Sequence, residues 1–485
     1  MIETIELAPG FTISRVLTGL WQIADLERDG ETLDPAASAQ FMASYVEAGF
    51  TTFDMADHYG SAEVIAGYFK NNHASGPKAR LITKWVPKPG MVTRRDVRDA
   101  VKRSLHRMQT DQLDMLQYHA WNYSDPAWLD SLFWLQELKE EGLIGHLGLT
   151  NFDSVHLRVA VASGIEILTN QVSYSLLDQR AANEMTAVCQ QYDVKLLAYG
   201  TLAGGFLTEK WLGKAEPSAD QLTTWSQMKY KRFIDAVGGW SRLQSVLQVL
   251  DDVASRYQVP VSSIASRYML DQPAVGGVIL GARLGHSDHI EENLGIFELS
   301  LSQQDRDSIQ QVVSALDPIP GGCGDEYRKP PFLTATGDLS DHIESIPTVF
   351  TPVAGDNGKS RVFSGTSWED FAGYCRAVRS GDRIHVSGTT ATHGERLIGG
   401  NDPAAQTHYV IDKIQAAIES LGGKLEDIDR TRIFVSDINH WEPVARAHGE
   451  RFAHIQPANT LVEARLVGKD YLVEIEADAS LNDLT

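Results

Sequence analysis

The segment GFTTFDMADHYG carries Asp54 and, five residues later, Tyr59; the run LITKW contains Lys84, and LDMLQYHAW contains His119. These four side-chain types form an acid–base set suited to a carbonyl. A phenol with a reference pKa of about 10 is a poor acid near neutrality, and a nearby ammonium favours its ionised form and lowers that value. Lys84 can supply the field. Asp54 can keep the lysine charged and aimed, and His119 can hydrogen-bond the oxygen of the reacting group. Taken singly, each has an ordinary structural reading, since a strand-end aspartate often caps the next helix and a tyrosine or lysine usually packs or faces water. What joins them is position, because each sits at or just beyond the end of an apolar run.

Eight such runs, at 15–20, 50–54, 80–84, 113–119, 145–150, 165–171, 194–199 and 277–281, alternate with longer amphipathic segments such as 101–107 and 129–141. This is the pattern of repeated βα units. Eight strands with seven crossovers make a (β/α)8 TIM barrel, an α/β fold in which strand ends share one rim and bring Asp54, Tyr59, Lys84 and His119 to one place. The interval from 199 to 277 exceeds the others and holds Trp211, Trp225 and Trp240. It reads as an inserted loop with extra helices, of the kind that shapes a substrate site. Trp21, Trp121 and Trp225 suggest an aromatic wall.

The text changes in DPIPGGCGDEYRKPPFLTATGDLSDHIESIPTVFTPVAG, which is rich in Pro and Gly and lacks periodicity. The expected division is a barrel over 1–315, a linker over 316–355 and a second domain over 356–485. In the last, strand-like runs at 383–388, 431–437, 459–463 and 471–479 accompany helical patterns at 404–421 and 441–452, an α+β unit.

The chain has 485 residues, with 43 basic and 64 acidic side chains and a net charge of −21. Residues 356–485 hold 14 basic and 20 acidic side chains, so both halves are acidic and nucleic acid is an unexpected partner. Three distant cysteines, Cys189, Cys323 and Cys375, without metal-type spacing, fit a reducing cytoplasm. The N-terminal segment has neither a basic start nor a long apolar run, so neither secretion nor membrane insertion is expected. His58, His119 and His146 lack ligand spacing, so no metal is expected, and no GxGxxG follows an early strand.

At Asp54, Tyr59, Lys84 and His119 the sequence resembles the aldo-keto reductase superfamily over about residues 10–312. The resemblance implies a nicotinamide cofactor, with Tyr59 as general acid, Lys84 and Asp54 tuning it, and His119 orienting the carbonyl. It assigns Thr150 and Asn151 in GLTNFD, and Gln171 in NQVSY, to the carboxamide. Tyr199 in LLAYGTLAGGFL would stack on the nicotinamide ring, with Leu202, Gly204 and Gly205 along the pyrophosphate. Leu20, Trp21, Gly200 and Gly281 belong to the same implied cofactor site. In VILGARLGHSDHIEENLGIF, Arg283, Ser287, Glu292 and Asn293 would meet the adenosine phosphate end. Arg283 is the one basic residue in that stretch, whereas a 2′-phosphate usually draws clustered charge. NADPH is the expected cofactor, with NADH open.

The segments FAGYCRAVRSGDRIHVSGTT and IQPANTLVEARLVGKDYLVEIEADA resemble the reactive intermediate deaminase (Rid, YjgF) family, over about residues 368–479. This implies a chorismate-mutase-like α+β fold, trimers with pockets between subunits and, in some members, hydrolysis of 2-imino acids. Tyr374, Ser387 and Glu474 match pocket positions. Active members carry an arginine in a PAR motif that grips the substrate carboxylate, whereas this chain reads Pro457, Ala458, Asn459. Arg465 lies in a context where the family also has arginine and does not replace it. The expected protein is thus an NAD(P)H-dependent oxidoreductase reducing a small aldehyde or ketone, joined to a domain for trimerisation or ligand sensing. The alternative is a bifunctional enzyme whose second domain hydrolyses an imine and whose barrel reduces the carbonyl product.

Overall fold

A computed structural model describes residues 2–28, 33–88, 90–285, 289–334, 348–355 and 358–481. Contacts divide the chain into two compact units, one of Met1–Trp121, Phe133–Ser154 and Glu166–Glu344, the other of Asn122–Leu132, Val155–Ile165 and Ser345–Thr485.

The first unit opens with an antiparallel hairpin, β1 (Thr4–Ala8) and β2 (Phe11–Ser14). Eight strands follow: β3 (Val16–Gly19), β4 (Thr52–Asp54), β5 (Arg80–Trp85), β6 (Leu113–Tyr118), β7 (Ile144–Thr150), β8 (Ile167–Ser173), β9 (Lys195–Tyr199) and β10 (Val275–Gly281). They close into a barrel in the order β10-β3-β4-β5-β6-β7-β8-β9, every pairing parallel. Strands covered on both faces read as continuous apolar runs, which is why the eight expected runs match the eight barrel strands. The hairpin lies outside those runs. Its Phe11 and Ile13 pack with Leu17, Ile82, Met115 and Leu197, an apolar cluster inside the barrel.

The crossovers follow from local sequence. The helix Arg94–Met108 starts at a capping box, in which the Thr93 hydroxyl accepts from the Asp96 N–H and the Asp96 carboxylate accepts from the Thr93 N–H. It buries Val97, Ala100, Val101 and Met108 at helical spacing. After β9 come short turns at Ala203–Gly205, Glu209–Trp211 and Ala219–Gln221, then helices Trp225–Ala236, Trp240–Tyr257 and Val261–Leu270. This is the inserted loop with added helices that the long interval implied.

Part of the stretch read as a linker is built into the first unit. Asp325–Arg328 forms one helical turn with Asp325, Glu326 and Arg328 buried. Gly324 enters it at φ 80°, and a Cβ there would lie 2.0 Å from the Asn151 carbonyl oxygen. Only glycine takes that conformation at that approach. Arg328 then donates to the carbonyls of Ala120, Asn151 and Cys323 at 3.2, 2.9 and 2.9 Å, pinning the turn to the ends of β6 and β7.

The second unit is α+β. Its seven-stranded sheet runs β11 (Val353–Ala354), β12 (Lys359–Val362), β13 (Ala377–Ser380), β14 (Arg383–Thr390), β19 (Val473–Ser480), β17 (Ile428–Val435) and β18 (Ala458–Glu463). Two short strands, β15 (Thr392–His393) and β16 (Arg396–Leu397), form a separate hairpin. Among the described residues of this sheet, β17 and β18 pair in parallel and the other neighbours are antiparallel. The helix Pro403–Ser420 starts with Pro at its first position and Asp402 accepting from Ala404 and Ala405. A second helix spans Trp441–Phe452. Among the described residues no helix is long and apolar enough to cross a membrane.

Candidate active site

Asp54 ends β4 with 4% exposure and Lys84 lies near the end of β5 with 3%. The Lys84 ammonium donates to both Asp54 oxygens at 2.9 and 2.8 Å and to the Met55 carbonyl at 2.8 Å. Burial pushes the ammonium below its ordinary range, and the Asp54 charge opposes that shift. Asp54 Oδ1 also accepts from Gln171 Nε2 at 2.7 Å, so the pair is both ionic and hydrogen-bonded. The Lys84 nitrogen stands 4.9 Å from the centre of the Tyr59 ring, which packs edge-on to Trp21 and His58. A cation this close stabilises developing phenolate charge.

His119 follows β6 and is buried, its Nε2 without a hydrogen-bond partner among the described residues. Burial, with the Arg328 guanidinium adding to it, pushes the imidazole down to about 3 while the Thr150 backbone pulls the other way. The ring is therefore neutral at working pH and can donate one hydrogen bond without carrying charge. A consequence is measurable. The unfolded chain protonates this histidine below about 6.5, so its contribution to stability is present above that pH and lost as pH falls toward the folded value. We expect unfolding free energy to fall by up to about 1.4 kcal/mol per pH unit from this group. Urea titrations at several acid pH values should show a shallower dependence in His119→Gln.

A cavity of about 690 Å³ joins these residues. Asp54, Tyr59, Lys84 and His119 line it together with Trp21, Thr150, Asn151, Gln171, Tyr199 and Gly200. Leu202, Gly204, Gly205, Gly281, Arg283, Glu292 and Asn293 line it too. Leu20 does not line it. That residue is fully buried and donates its N–H to the Asp54 carbonyl, holding β3 against β4 from behind. Ser287 lies outside the described residues. The second-unit residues Tyr374, Ser387, Asn459 and Glu474 form no part of the cavity lining. Ser387 donates its hydroxyl to the Cys375 carbonyl at 2.8 Å, and Asn459 Nδ2 donates to Thr431 Oγ1 at 2.9 Å.

Sequence reasoning missed a second group on the cavity wall. Tyr327, from the stretch read as a linker, accepts from Lys229 at 2.5 Å and stands edge-on to His119 with ring centres 5.7 Å apart. Tyr199 donates to Asn151 Oδ1 at 2.7 Å and lies 3.3 Å from Glu326. Burial opposes ionisation of Glu326, yet Arg180 and Lys229 hold its carboxyl at about 2. The available signal was the cluster Asp325, Glu326, Tyr327, Arg328 inside otherwise Pro- and Gly-rich text.

The cavity reaches from His119, whose Nε2 has no partner among the described residues, to Arg283 and Asn293. Residues 15–314 match the model of the aldo/keto reductase family, and residues 366–481 match that of endoribonuclease L-PSP. The NADH-specific methylglyoxal reductase of Escherichia coli (strain K12) is 24% identical over 331 residues, covering 63% of this chain and 96% of that protein. An uncharacterized protein of Streptomyces coelicolor, SCO2049, is 38% identical over 120 residues, 24% of this chain and 90% of its own length. Among solved structures, the glycerol dehydrogenase from Gluconobacter oxydans shares the barrel fold at 23% identity and a TM-score of 0.55, covering 66% of this chain and 97% of that one.

Proposed function

The chain belongs to the aldo/keto reductase family and carries a Rid/YjgF domain toward its C-terminal end, and on that premise we propose that it reduces an aldehyde or ketone to an alcohol with a reduced nicotinamide dinucleotide. The observation that carries this reading is the doubly hydrogen-bonded Lys84–Asp54 pair beside Tyr59, on a cavity that His119 Nε2 also faces without a partner.

When bound, the nicotinamide supplies a hydride to the carbonyl carbon. Tyr59 delivers its phenolic proton to the carbonyl oxygen, so the two additions leave a neutral alcohol and a tyrosinate that solvent reprotonates. Lys84 lowers the cost of that tyrosinate, and Asp54 fixes the lysine nitrogen where it does so. His119 faces the reacting oxygen from the end of β6 and orients the carbonyl in the cavity. Trp21 and Trp225, with ring centres 5.5 Å apart, give the cavity an aromatic wall that excludes water from the reacting oxygen.

Thr150, Asn151 and Gln171 would hold the carboxamide, Tyr199 the ring face, Leu202, Gly204 and Gly205 the pyrophosphate, and Arg283, Glu292 and Asn293 the adenosine end. Gln171 spends one amide donor on Asp54, which ties the carboxamide contact to the Lys84 pair. NADPH is the cofactor we propose, with Arg283 meeting its 2′-phosphate; the relative named for NADH makes the comparison of both worthwhile. Oxidation of NADPH and of NADH should be followed with a panel of small aldehydes and ketones. Turnover with NADPH supports the reading, and none with either cofactor removes it.

For the second unit we propose assembly, as a cytoplasmic homotrimer with no nucleic-acid partner. Strand β18 ends the sheet and is largely exposed, leaving an edge for association. The three cysteines are unpaired, as a reducing compartment would leave them. A monomer mass in light scattering of the full chain would overturn the trimer.

A further inference from the structure

Two phenol–ammonium pairs line the cavity, and proton delivery to the carbonyl uses one of them, Tyr59 with Lys84. In the other, Lys229, at 6% exposure, donates to the Tyr327 hydroxyl at 2.5 Å and stands 4.5 Å from the centre of that ring. Tyr327 is partly exposed to the cavity, and its ring is the edge-on neighbour of His119. Tyr327 thus lies next to the residue that faces the reacting oxygen.

Neither member of this second pair comes from a βα unit of the barrel. Lys229 lies on the helix Trp225–Ala236, in the long interval after β9, and Tyr327 lies on the turn Asp325–Arg328, beyond the helix Gln303–Val313. Segments added at the rim of a barrel are where substrate selection resides. The turn does not need Tyr327 to stay in place. Arg328 pins it through three carbonyls, and Glu326 bridges to Arg180 at 2.7 Å.

An ammonium only donates, so the Tyr327 oxygen accepts from Lys229 and its own proton is directed elsewhere. The Tyr199 oxygen, at 3.5 Å, stands at the outer limit of a hydrogen bond. A phenol polarised by a cation is a strong donor. The surrounding charges decide what kind of group it takes. Arg180 meets Asp178 and Glu326, each at 2.7 Å, and Lys229 acts on the same Glu326, so two cations balance two carboxylates. The Lys84–Asp54 pair is balanced too. An added anion would be uncompensated there, whereas a neutral hydroxyl or carbonyl oxygen brings no charge.

We infer that Tyr327, held by Lys229, determines specificity in the reductase by donating to an oxygen on the carbon next to the reacting carbonyl. Two polar groups on adjoining rings, His119 and Tyr327, meet oxygens on adjoining carbons. The favoured substrates are therefore α-hydroxy and α-oxo carbonyl compounds, over analogues that carry a methyl group in place of that oxygen. This rests on the reductase reading and adds to it the class of substrate.

Steady-state kcat/KM of the full-length protein for glycolaldehyde and for propanal, with whichever of NADPH and NADH it oxidises, tests this. The two aldehydes match in size and differ by one hydroxyl beside the carbonyl. Wild type should favour glycolaldehyde, and Tyr327→Phe, which keeps the ring, should lower the ratio of the two values about 10-fold. Hydration and intrinsic reactivity of each aldehyde cancel when the ratio is compared between variants. A purely structural role would lower both values together and leave the ratio alone. Lys229→Met should lower the same ratio about 3- to 10-fold, and Lys229→Arg should recover part of it. These two variants decide the matter if circular dichroism shows that Tyr327→Phe does not fold. A wild type that prefers propanal, or a folded and active Tyr327→Phe whose ratio stays within about two-fold of wild type, overturns the inference and leaves the reductase reading in place. Turnover of neither aldehyde removes that reading, and the inference with it.

Discussion

Tyr59→Phe is expected to lower kcat by about 10²- to 10⁴-fold, the usual worth of a positioned general acid. The ring survives the change, and with it the edge-on contacts to Trp21 at 4.8 Å and His58 at 4.9 Å. Thermal stability and cofactor binding, followed by nicotinamide fluorescence, should therefore stay close to wild type. The loss should fall on kcat and kcat/KM alike, since proton delivery matters only in the transition state. A rate within a few-fold of wild type would remove Tyr59 from the chemistry.

Lys84→Met should damage both rate and fold. It preserves most of the side-chain volume while removing the charge that supports a tyrosinate, so kcat should again fall by about 10²-fold or more. It also leaves Asp54, 4% exposed, with Gln171 at 2.7 Å and Gln117 at 3.5 Å as its amide partners. Breaking a buried pair from one side costs about 3–5 kcal/mol. The double variant Lys84→Met with Asp54→Asn separates the two effects. It should regain most of the stability, because both charges are gone, and none of the activity. Chemical denaturation and steady-state kinetics on the same preparations check this. Equal recovery of both would mean that the pair serves the fold alone.

Much of this was legible in the sequence because barrel geometry ties chemistry to strand ends. An apolar run closing on a polar residue, repeated at β4, β5 and β6, marks Asp54, Lys84 and His119 as rim residues, and Tyr59 follows within one loop. The cavity wall that Tyr327 supplies, on the turn held by Glu326 and Arg328, was not legible. Its order comes from contacts far apart in sequence, Arg328 to Ala120 and Asn151, Glu326 to Arg180, Tyr327 to Lys229, and local text rich in Pro and Gly does not announce them. Lys229 was hidden for another reason. It sits in the polar run KYKR of an amphipathic helix, where a lysine ordinarily faces water, and only the fold turns it toward three tyrosine rings. In the second unit the runs at 383–388, 431–437, 459–463 and 471–479 fall on β14, β17, β18 and β19, whereas β11, β12 and β13 lie outside them. The burial of Arg376 is visible only in three dimensions.

The most direct measurement is label transfer. NADPH carrying deuterium at the reactive ring carbon, incubated with the protein and an aldehyde that turns over, should yield an alcohol with one deuterium on the carbinol carbon by mass spectrometry. The Tyr59→Phe variant should form the same labelled product at least about 100-fold more slowly. An alcohol formed without the label, or labelled product forming equally fast without Tyr59, would contradict hydride transfer at this site.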